Sequence, residues 1–338
     1  MALKALRHPQ EQLFVCDITD VVLKGDMASM EHPFYSLSKK PDREPRRYQH
    51  GDKWIEFRPS IRGLPTIYDK DLIIYAISHA VAARNEASKR GEDFTVPKTV
   101  EIDPYAFLVY TERGTGGRDY DALCHALDRL DGTRFRTNIV SDGTRTDEWM
   151  GLIDKATLLT DEATGKPQKL TITLSDMVTD AVERMEVLTF SKNYFRLGKP
   201  IERRIYELAR KHCGRKESFS IGLETLHGKA GSRGSLREFR RAVKQLVEDD
   251  HLPDYRVEYD RGEDTVRFAN RETWWQNGGD GVLRPLPASA YEKARKYTRD
   301  DVYGLEEEWR QWWKQSGCPE VQCVEAAFLG FVKRRAGE

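Results

Sequence analysis

Basic side chains recur at helical spacing in the stretch SLREFRRAVKQLVED. Arg237, Arg241 and Lys244 lie at i, i+4 and i+7 with Arg240 beside them, so a helix would place them together on one face. The arginine guanidinium is a planar fork of five N–H donors, which can bind a phosphate or the O6 and N7 atoms of guanine. This pattern therefore predicts contact with the backbone and base edges of DNA.

The remaining residues of the same stretch predict how that helix is held. Its other side is an apolar stripe typical of a core-facing helix, formed by Leu236, Phe239, Val243, Leu246 and Val247. Ser235 and Glu238 have the S-x-x-E spacing of a capping box, which satisfies free N–H groups where a helix begins. The acidic end, residues 248–250, would repel phosphate, so we expect DNA over the amino-terminal half.

The flanking segments predict a complete DNA-binding module. A helix in KPIERRIYELARKHCG is followed by a strand at Ser218 to Ile221 and a short helix at Leu223 to His227. After the basic helix, DYRVEYD and DTVRFAN alternate as two strands around a turn that contains Arg261. Helix, strand, helix, helix and a two-stranded wing make the winged helix-turn-helix plan, in which the second helix of the motif enters the major groove.

A related order of elements, helix, helix, helix, strand, strand, occurs earlier in the chain. DLIIYAISHAVAARN, Pro104 to Thr111 and RDYDALCHALDRLDG have helical patterns, and TRFRTNIV, WMGLIDKATLLT and KLTITL have strand patterns. We predict an α+β protein with tandem winged helix-turn-helix domains, an N-terminal arm and a C-terminal helical extension. The predicted boundaries are 1–58 for the arm, 59–186 for the first domain, 187–273 for the second, and 274–338 for a linker and helical tail.

The first domain differs in charge from the second. Its matching helix has four aspartates, at 119, 121, 128 and 131, against only Arg118 and Arg129. An acidic surface is poorly suited to contact base edges in the major groove, although Arg134 and Arg136 in the following strand could hold phosphates. We expect this domain to make protein contacts or clamp the backbone, and the second domain to read bases.

The charged residues are unevenly distributed along the chain, and the composition predicts a cytoplasmic protein. The 55 basic and 55 acidic residues cancel, yet residues 192–244 have fifteen Lys or Arg against five Glu. No apolar run approaches the roughly 20 residues of a membrane span, and the N-terminus lacks the apolar region of a signal peptide. The five scattered cysteines are typical of reduced thiols in a reducing compartment.

Five segments together resemble the replication initiator protein A family of bacterial plasmids. They are PFYSLSKKPDREPRRYQH, LPTIYDKDLIIYAISH, FRLGKPIERRIYELARKHCGRK, IGLETLHGKAGSRGSLREFRR and DHLPDYRV. The resemblance runs from about Phe14 to Phe331. It implies a cytoplasmic initiator that binds repeated sites in a plasmid origin, helps to melt the duplex, and recruits host replication proteins such as a helicase or the chromosomal initiator. It also implies a homodimer in equilibrium with the monomer, since many such proteins repress their own promoter as dimers.

The family pattern and the residue pattern together give the predicted DNA-binding set. The resemblance places in the second domain Arg203, Arg204, Lys211, Arg215, Arg233, Arg237, Arg240 and Arg241. The pattern of residues adds Lys229, Ser235, Lys244, Arg261, Arg134 and Arg136. Two such modules on one face of a duplex would reach successive major grooves about 34 Å apart, so we expect a site near two helical turns.

Enzymatic alternatives lack their motifs. None of the eight histidines forms the His-x-His pair of a nicking enzyme, and Ala230 follows Lys229 where a phosphate-binding loop needs Ser or Thr. Acidic clusters at 69–71, 248–250 and 300–301 are explained by helix termini and solvated faces rather than by a metal-dependent priming site. We predict no catalysis, metal or cofactor.

Two further predictions concern cysteines and tryptophans near the C-terminus. Cys318 and Cys323 are too isolated from other ligands for a zinc site. Trp309, Trp312 and Trp313 have helical spacing and are expected to pack the tail against the second domain rather than to stack on single-stranded bases.

The main alternative function is a winged-helix transcriptional repressor. It predicts one operator near a promoter, whereas an initiator predicts an array of direct repeats beside an AT-rich stretch.

Overall fold

The computed structural model describes most of the chain in three units. The described residues are 12–16, 33–38, 40–50, 53–90, 96–141, 144–183, 187–191, 193–214, 216–271, 286–316 and 323–336. We call 33–183 the first unit, 193–271 the second unit and 286–336 the C-terminal unit. Strand β1 (Gln12–Cys16) pairs antiparallel with β9 (Val187–Ser191), which lies between the first two units.

The first unit contains four helices and seven strands among its described residues. Its helices are α1 (Lys70–Lys89), α2 (Pro104–Tyr110), α3 (Gly117–Gly132) and α4 (Asp176–Glu183). Its strands are β2 (Arg46–His50), β3 (Lys53–Arg58), β4 (Thr99–Ile102), β5 (Arg134–Ser141), β6 (Thr144–Gly151), β7 (Ile153–Thr160) and β8 (Pro167–Leu174). The strands form a four-stranded sheet in the order β2-β3-β5-β6 and a three-stranded sheet in the order β4-β8-β7.

The four-stranded sheet corrects the predicted N-terminal arm. Residues 46–50 and 53–58, of which only Trp54 to Arg58 was predicted as a strand, form β2 and β3, because the alternating apolar residues Ile55 and Phe57 are buried opposite Thr137 and Phe135 of β5. Strand β5, predicted from its alternating pattern, pairs with β3 and β6. The arginines and polar residues of RRYQH hid the strand pattern, since its outer face is not apolar.

The second unit repeats the arrangement of the three-stranded part of the first. Its elements are a 3₁₀ turn (Tyr194–Arg196), α5 (Pro200–His212), β10 (Ser218–Gly222), α6 (Leu223–Ala230), α7 (Leu236–Asp249), β11 (Tyr255–Asp260) and β12 (Thr265–Asn270). The sheet order is β10-β12-β11, which is equivalent to β4-β8-β7. The order helix, strand, helix, helix, strand, strand is therefore shared by α5 to β12 of the second unit and by α1, β4, α2, α3, β7 and β8 of the first, where β5 and β6 are inserted between α3 and β7.

Buried ion pairs join the first two units, in addition to a shared apolar core. Asp71 at the start of α1 is fully buried and accepts from Arg203 of α5 at 2.7 and 2.9 Å. Arg113 donates to the same carboxylate at 2.8 Å, and Lys70 lies 3.0 Å from Glu207 of α5. Because charge removed from water must be paired, these contacts fix one orientation of α1 against α5.

The C-terminal unit has its own core. Helices α8 (Ala288–Ala294), α9 (Val302–Gln315) and α10 (Val324–Arg335) bury Trp309, Trp313 and Phe328 among themselves. The predicted packing of the tail tryptophans against the second unit is therefore wrong, since Trp309 and Trp313 fill the space between three short helices. Residues 276–285 of the predicted linker QNGGDGVLRPLPAS lie outside the described residues. In the parts of the chain that the structure describes, every helix is too short or too polar to cross a bilayer.

Candidate DNA-binding surface

Helix α7 begins where the sequence predicts, with its basic face outward. The Ser235 hydroxyl accepts from the Glu238 N–H at 3.3 Å, and the Glu238 carboxylate accepts from the Ser235 N–H at 2.8 Å. These bonds form the predicted capping box and lower the pKa of Glu238, because Ser235 donates to the charged carboxylate. Phe239, Val243 and Leu246 are buried beneath the helix. The opposite side must therefore face solvent.

Arg237 and Arg241 occupy that outer face. Both side chains are exposed, and neither guanidinium has a hydrogen bond or ion pair with the described residues of the protein. Their donors are thus available to an external acceptor. At i and i+4 they are neighbours on the helix surface and can contact adjacent groups of one ligand.

Arg240 and Lys244, also predicted to contact DNA, instead face the β11–β12 hairpin. Arg240 donates to the two carboxylate oxygens of Asp264 at 3.2 and 2.8 Å, and the Tyr259 hydroxyl donates to Asp264 at 2.5 Å. The Lys244 ammonium lies 5.4 Å from the centroid of the Tyr259 ring. These contacts hold the hairpin beside α7. The exposed Arg261 lies in the turn between the two strands of that hairpin.

The Asp264 contacts make the attachment of the hairpin pH-dependent. Hydrogen bonds from Arg240 and Tyr259 lower the pKa of Asp264, so its stabilising effect is complete above the unfolded pKa, about 3.9, and is lost as the pH falls through the lower folded value. We expect Asp264→Asn to lower the urea midpoint at pH 7, and the difference from the native protein to shrink as the pH falls below about 4. Glu263→Gln, in the same turn, removes the same charge without this contact and should change the midpoint little at either pH. An equal deficit at both pH values would contradict this role of the ion pair.

The turn before α7 is built against the first unit. Gly231 has φ of 67°, and a Cβ there would lie 1.9 Å from Cγ of Pro33, so both the backbone and the space require glycine. Arg233, predicted to contact DNA, lies 2.9 Å from the buried carboxylate of Asp42, while about half of its side chain stays exposed. Pro33 therefore packs directly against this turn.

Arg203 does not lie on the surface that the prediction required. Its guanidinium is buried between the rings of Tyr68 and Tyr194 and donates to Asp71, to the carbonyl of Leu197 at 2.9 Å and to the carbonyl of Phe195 at 3.0 Å. Every side of this group is occupied by protein. Its position at the junction of α1 and α5, which only the tertiary structure reveals, corrects its inclusion in the DNA-binding set.

The other predicted cations of α5 and α6 are partly engaged. Arg204 donates to the carbonyl of Lys229 at 2.9 Å and lies 3.2 Å from Glu207. Burial lowers the pKa of Lys229, which is half-buried at the end of α6. Lys211 is half-buried on α5, and Arg215 lies outside the described residues. Their contacts with DNA stay predictions.

The four-stranded sheet has a row of cations and indole rings on its outer face. Arg136 lies 4.5 Å from the Trp149 ring and 5.2 Å from the Trp54 ring, and it pairs with Asp147 at 2.6 Å. Arg47 also lies over the Trp54 ring, 4.5 Å from its centroid. Arg134 is exposed at the start of β5. Arg47 was not in the predicted DNA-binding set. The alternation in RRYQ and WIEF could have placed it beside Trp54 if β2 had been recognised as a strand that pairs with β3.

Three possible metal ligands meet at the carboxyl end of α7. Glu202, Asp249 and His251 have ligand atoms within 4.8 Å of one another. The ammonium of Lys199 lies 3.0 Å from Glu202 and 3.5 Å from Asp249. The Lys199 ammonium therefore already pairs with both carboxylates, and the group is explained as an ion-pair cluster.

Comparison with known proteins identifies the family of this arrangement. The profile described as "Replication initiator protein A" matches residues 24–257, well over half of the chain. A protein of Wigglesworthia glossinidia brevipalpis, named "Putative replication protein", is 35% identical over 272 residues, which are 80% of this chain and 96% of that one. The chain belongs to the replication initiator protein A family. The family match runs from the segment before β2 to the middle of β11, so this initiator has α5, α6 and α7 inside the shared region.

Solved structures support the fold of the initiator. A crystal structure of RctB domains 2-3 has a TM-score of 0.51 and 11% identity, covering 71% of this chain and 96% of that one. A second crystal structure, of domains 2 and 3 of RctB as selenomethionine derivatives, has a TM-score of 0.53 and 11% identity, covering 75% and 98%. At this identity the likeness shows a shared mixed α and β fold. It leaves the chemistry to be argued from this initiator's own residues.

Proposed function

We propose that this replication initiator binds repeated double-stranded sites in a plasmid origin, with α7 in the major groove. The observation that carries the proposal is the exposed pair Arg237 and Arg241, which have no protein partner in the described structure and stand on a helix whose other side is fixed in the core. In a helix-turn-helix module, base edges are contacted by residues near the start of the second helix. Arg237 lies in the first turn of α7, as that geometry requires.

The second unit is proposed to act as a winged helix-turn-helix module. Helices α6 and α7 form the motif, and the β11–β12 hairpin forms a wing that the Arg240–Asp264 pair holds against α7. Arg233 and Arg261 would then hold phosphates on either side of the groove, while Lys244 adds positive charge. Of the DNA-binding residues predicted in the second unit, this proposal keeps Arg233, Arg237, Arg241, Lys244 and Arg261. It excludes the buried Arg203.

The first unit is proposed to be a second winged-helix module with a different task. Its equivalent sheet order supports the shared plan, and the four aspartates of α3 argue against groove reading. Arg134, on the neighbouring sheet, is an exposed cation suited to clamping backbone phosphate.

We extend the proposal to the consequences of binding. As an initiator, the protein would promote melting of the origin and recruit host replication proteins, such as a helicase or the chromosomal initiator, without a catalytic step of its own. A homodimer in equilibrium with the monomer would allow repression of its own promoter. A repressor with one operator is the competing function, and the pattern of binding sites distinguishes the two.

The decisive experiment maps binding along the DNA that flanks the gene. We expect DNase protection of several direct repeats beside an AT-rich stretch, and an affinity that falls steeply with salt because lysines and arginines displace counterions from phosphates. Protection of a single site at a promoter would support the repressor. Absence of any preference over scrambled duplex of equal length would overturn the proposal.

A further inference from the structure

A positively charged cleft lies where the first unit meets the turn between α6 and α7. Its volume is about 400 Å³, and its walls are β2 on one side and the α6–α7 turn on the other. The lining residues include Arg46, Arg47, His227 and Arg233. Three arginines thus border one small space at the edge strand β2, and the carboxylate that Arg46 and Arg233 contact is Asp42.

Asp42 fixes Arg233 at this junction. Its side chain is buried, and it pairs with Arg46 of β2 as well as with Arg233 of the turn. Its carbonyl accepts from the Leu64 N–H at 2.7 Å, so the backbone is held too. Arg233 uses one nitrogen for this contact, and since half of its side chain is exposed, its other donors can reach a ligand. One carboxylate between two guanidiniums leaves a net positive charge.

Arg47 is held on the opposite wall by an aromatic ring. Its exposed guanidinium lies 4.5 Å from the centroid of Trp54. Trp54 is 7% exposed, donates its backbone N–H to the Asn138 side chain at 2.7 Å, and has Arg136 against its ring at 5.2 Å. A cation over an indole face keeps a preferred position while its edge donors stay free. Arg47 is therefore positioned before any ligand binds.

We propose that this cleft binds a backbone phosphate of the DNA that α7 contacts, between Arg47 of the first unit and Arg233 of the second. The proposal rests on the proposed function and adds a contact that joins both units to one DNA strand. Two arginine forks, one over the Trp54 ring and one beside Asp42, offer donors that match the acceptor oxygens of a phosphate. The cleft adjoins the turn that leads into α7, so a strand that borders the groove is within its reach. An inorganic phosphate or a nucleotide offers the same chemistry and is the competing source.

The test compares Arg47→Ala with Arg118→Ala, which removes the same charge from an exposed position on α3, outside the cleft. Phosphate-ethylation interference on a duplex that the native protein binds should show one phosphate whose ethylation no longer matters for Arg47→Ala. The slope of log affinity against log salt should fall by about 0.9 for Arg47→Ala and stay unchanged for the control. Arg47→Lys keeps the charge and should recover most of the slope.

The outcomes separate the failure of this inference from failure of the proposed function. If the native protein binds its repeats but Arg47→Ala keeps the native interference pattern and slope, the phosphate site is wrong and the function stands. If the native protein has no preferred duplex, both fail. If millimolar phosphate or ATP raises the melting temperature of the native protein but not of Arg47→Ala, while interference is unchanged, the cleft binds a free phosphate instead and the DNA assignment is overturned.

Discussion

Replacing Arg237 and Arg241 together with alanine is expected to abolish most of the preference for origin repeats over random duplex. Each arginine that binds a guanine with two hydrogen bonds contributes about 1–3 kcal/mol of discrimination, so the double variant should lose at least about 30-fold in specific affinity if the two act independently. Fluorescence anisotropy with labelled specific and scrambled duplexes at several salt concentrations measures this ratio. Non-specific binding should fall much less, because the other cations keep their phosphate contacts.

The matched control for this variant lies in the same unit. Arg256→Ala with Arg267→Ala removes the same two charges from the outer face of the β11–β12 sheet, where the side chains pair with Asp250 and Glu258. This control should keep the native ratio of specific to non-specific affinity. The urea midpoint of the Arg237, Arg241 variant should stay near the native value, since both side chains are exposed. Equal losses of this ratio in the two double variants would mean that only net charge matters, and α7 would then not be the helix that contacts the bases.

Arg203→Ala should cause a much larger loss of stability than the same substitution at the exposed arginines of α7. It would leave Asp71, a fully buried carboxylate, with Arg113 and without the two bonds from Arg203, and it would leave the carbonyls of Leu197 and Phe195 without their guanidinium donor. Breaking a buried ion pair by removing one partner costs about 3–5 kcal/mol, a large share of the usual stability of a domain. Urea unfolding followed by circular dichroism measures it.

The same substitution decides what Arg203 does. Arg237→Ala, an identical change at an exposed position, should shift the free energy of unfolding by no more than about 0.5 kcal/mol. A native urea midpoint for Arg203→Ala, accompanied by loss of DNA binding, would restore the original assignment of Arg203 to the DNA interface. Loss of stability with specific binding retained in the remaining folded protein would confirm that Arg203 joins the units.

The contrast between Arg203 and Arg237 shows which feature of a cation the sequence alone does not predict, namely its burial. Arg203 and Arg237 both belong to helices with basic residues at regular spacing, and local pattern gives no reason to separate them. The structure does, because α5 lies between the first unit and the sheet of the second, while α7 leaves the face of Arg237 and Arg241 exposed. A charged side chain is buried when a partner from a distant segment meets it, and Asp71 is 132 residues away.

Local sequence determined the elements with strong short-range signals. The capping box at Ser235, the apolar stripe of α7 and the periodic apolar face of α1 depend on neighbours within one or two turns, so the sequence contains all the information needed. The order of helices and strands in the second unit was predictable for the same reason, whereas β4 of the first unit was not predicted. The family resemblance, carried by contiguous segments, was likewise confirmed by the match over residues 24–257.

Only the tertiary structure decided which of those surfaces meet. The joining of β2 and β3 to β5, the Asp42–Arg233 pair and the row from Arg47 to Trp149 all bring together residues far apart in the chain. Such contacts depend on how complete units pack, which local propensity does not encode. The sequence by itself determined the helix that carries the proposed reading arginines. The packing of the units decided which cations remain on the surface beside it.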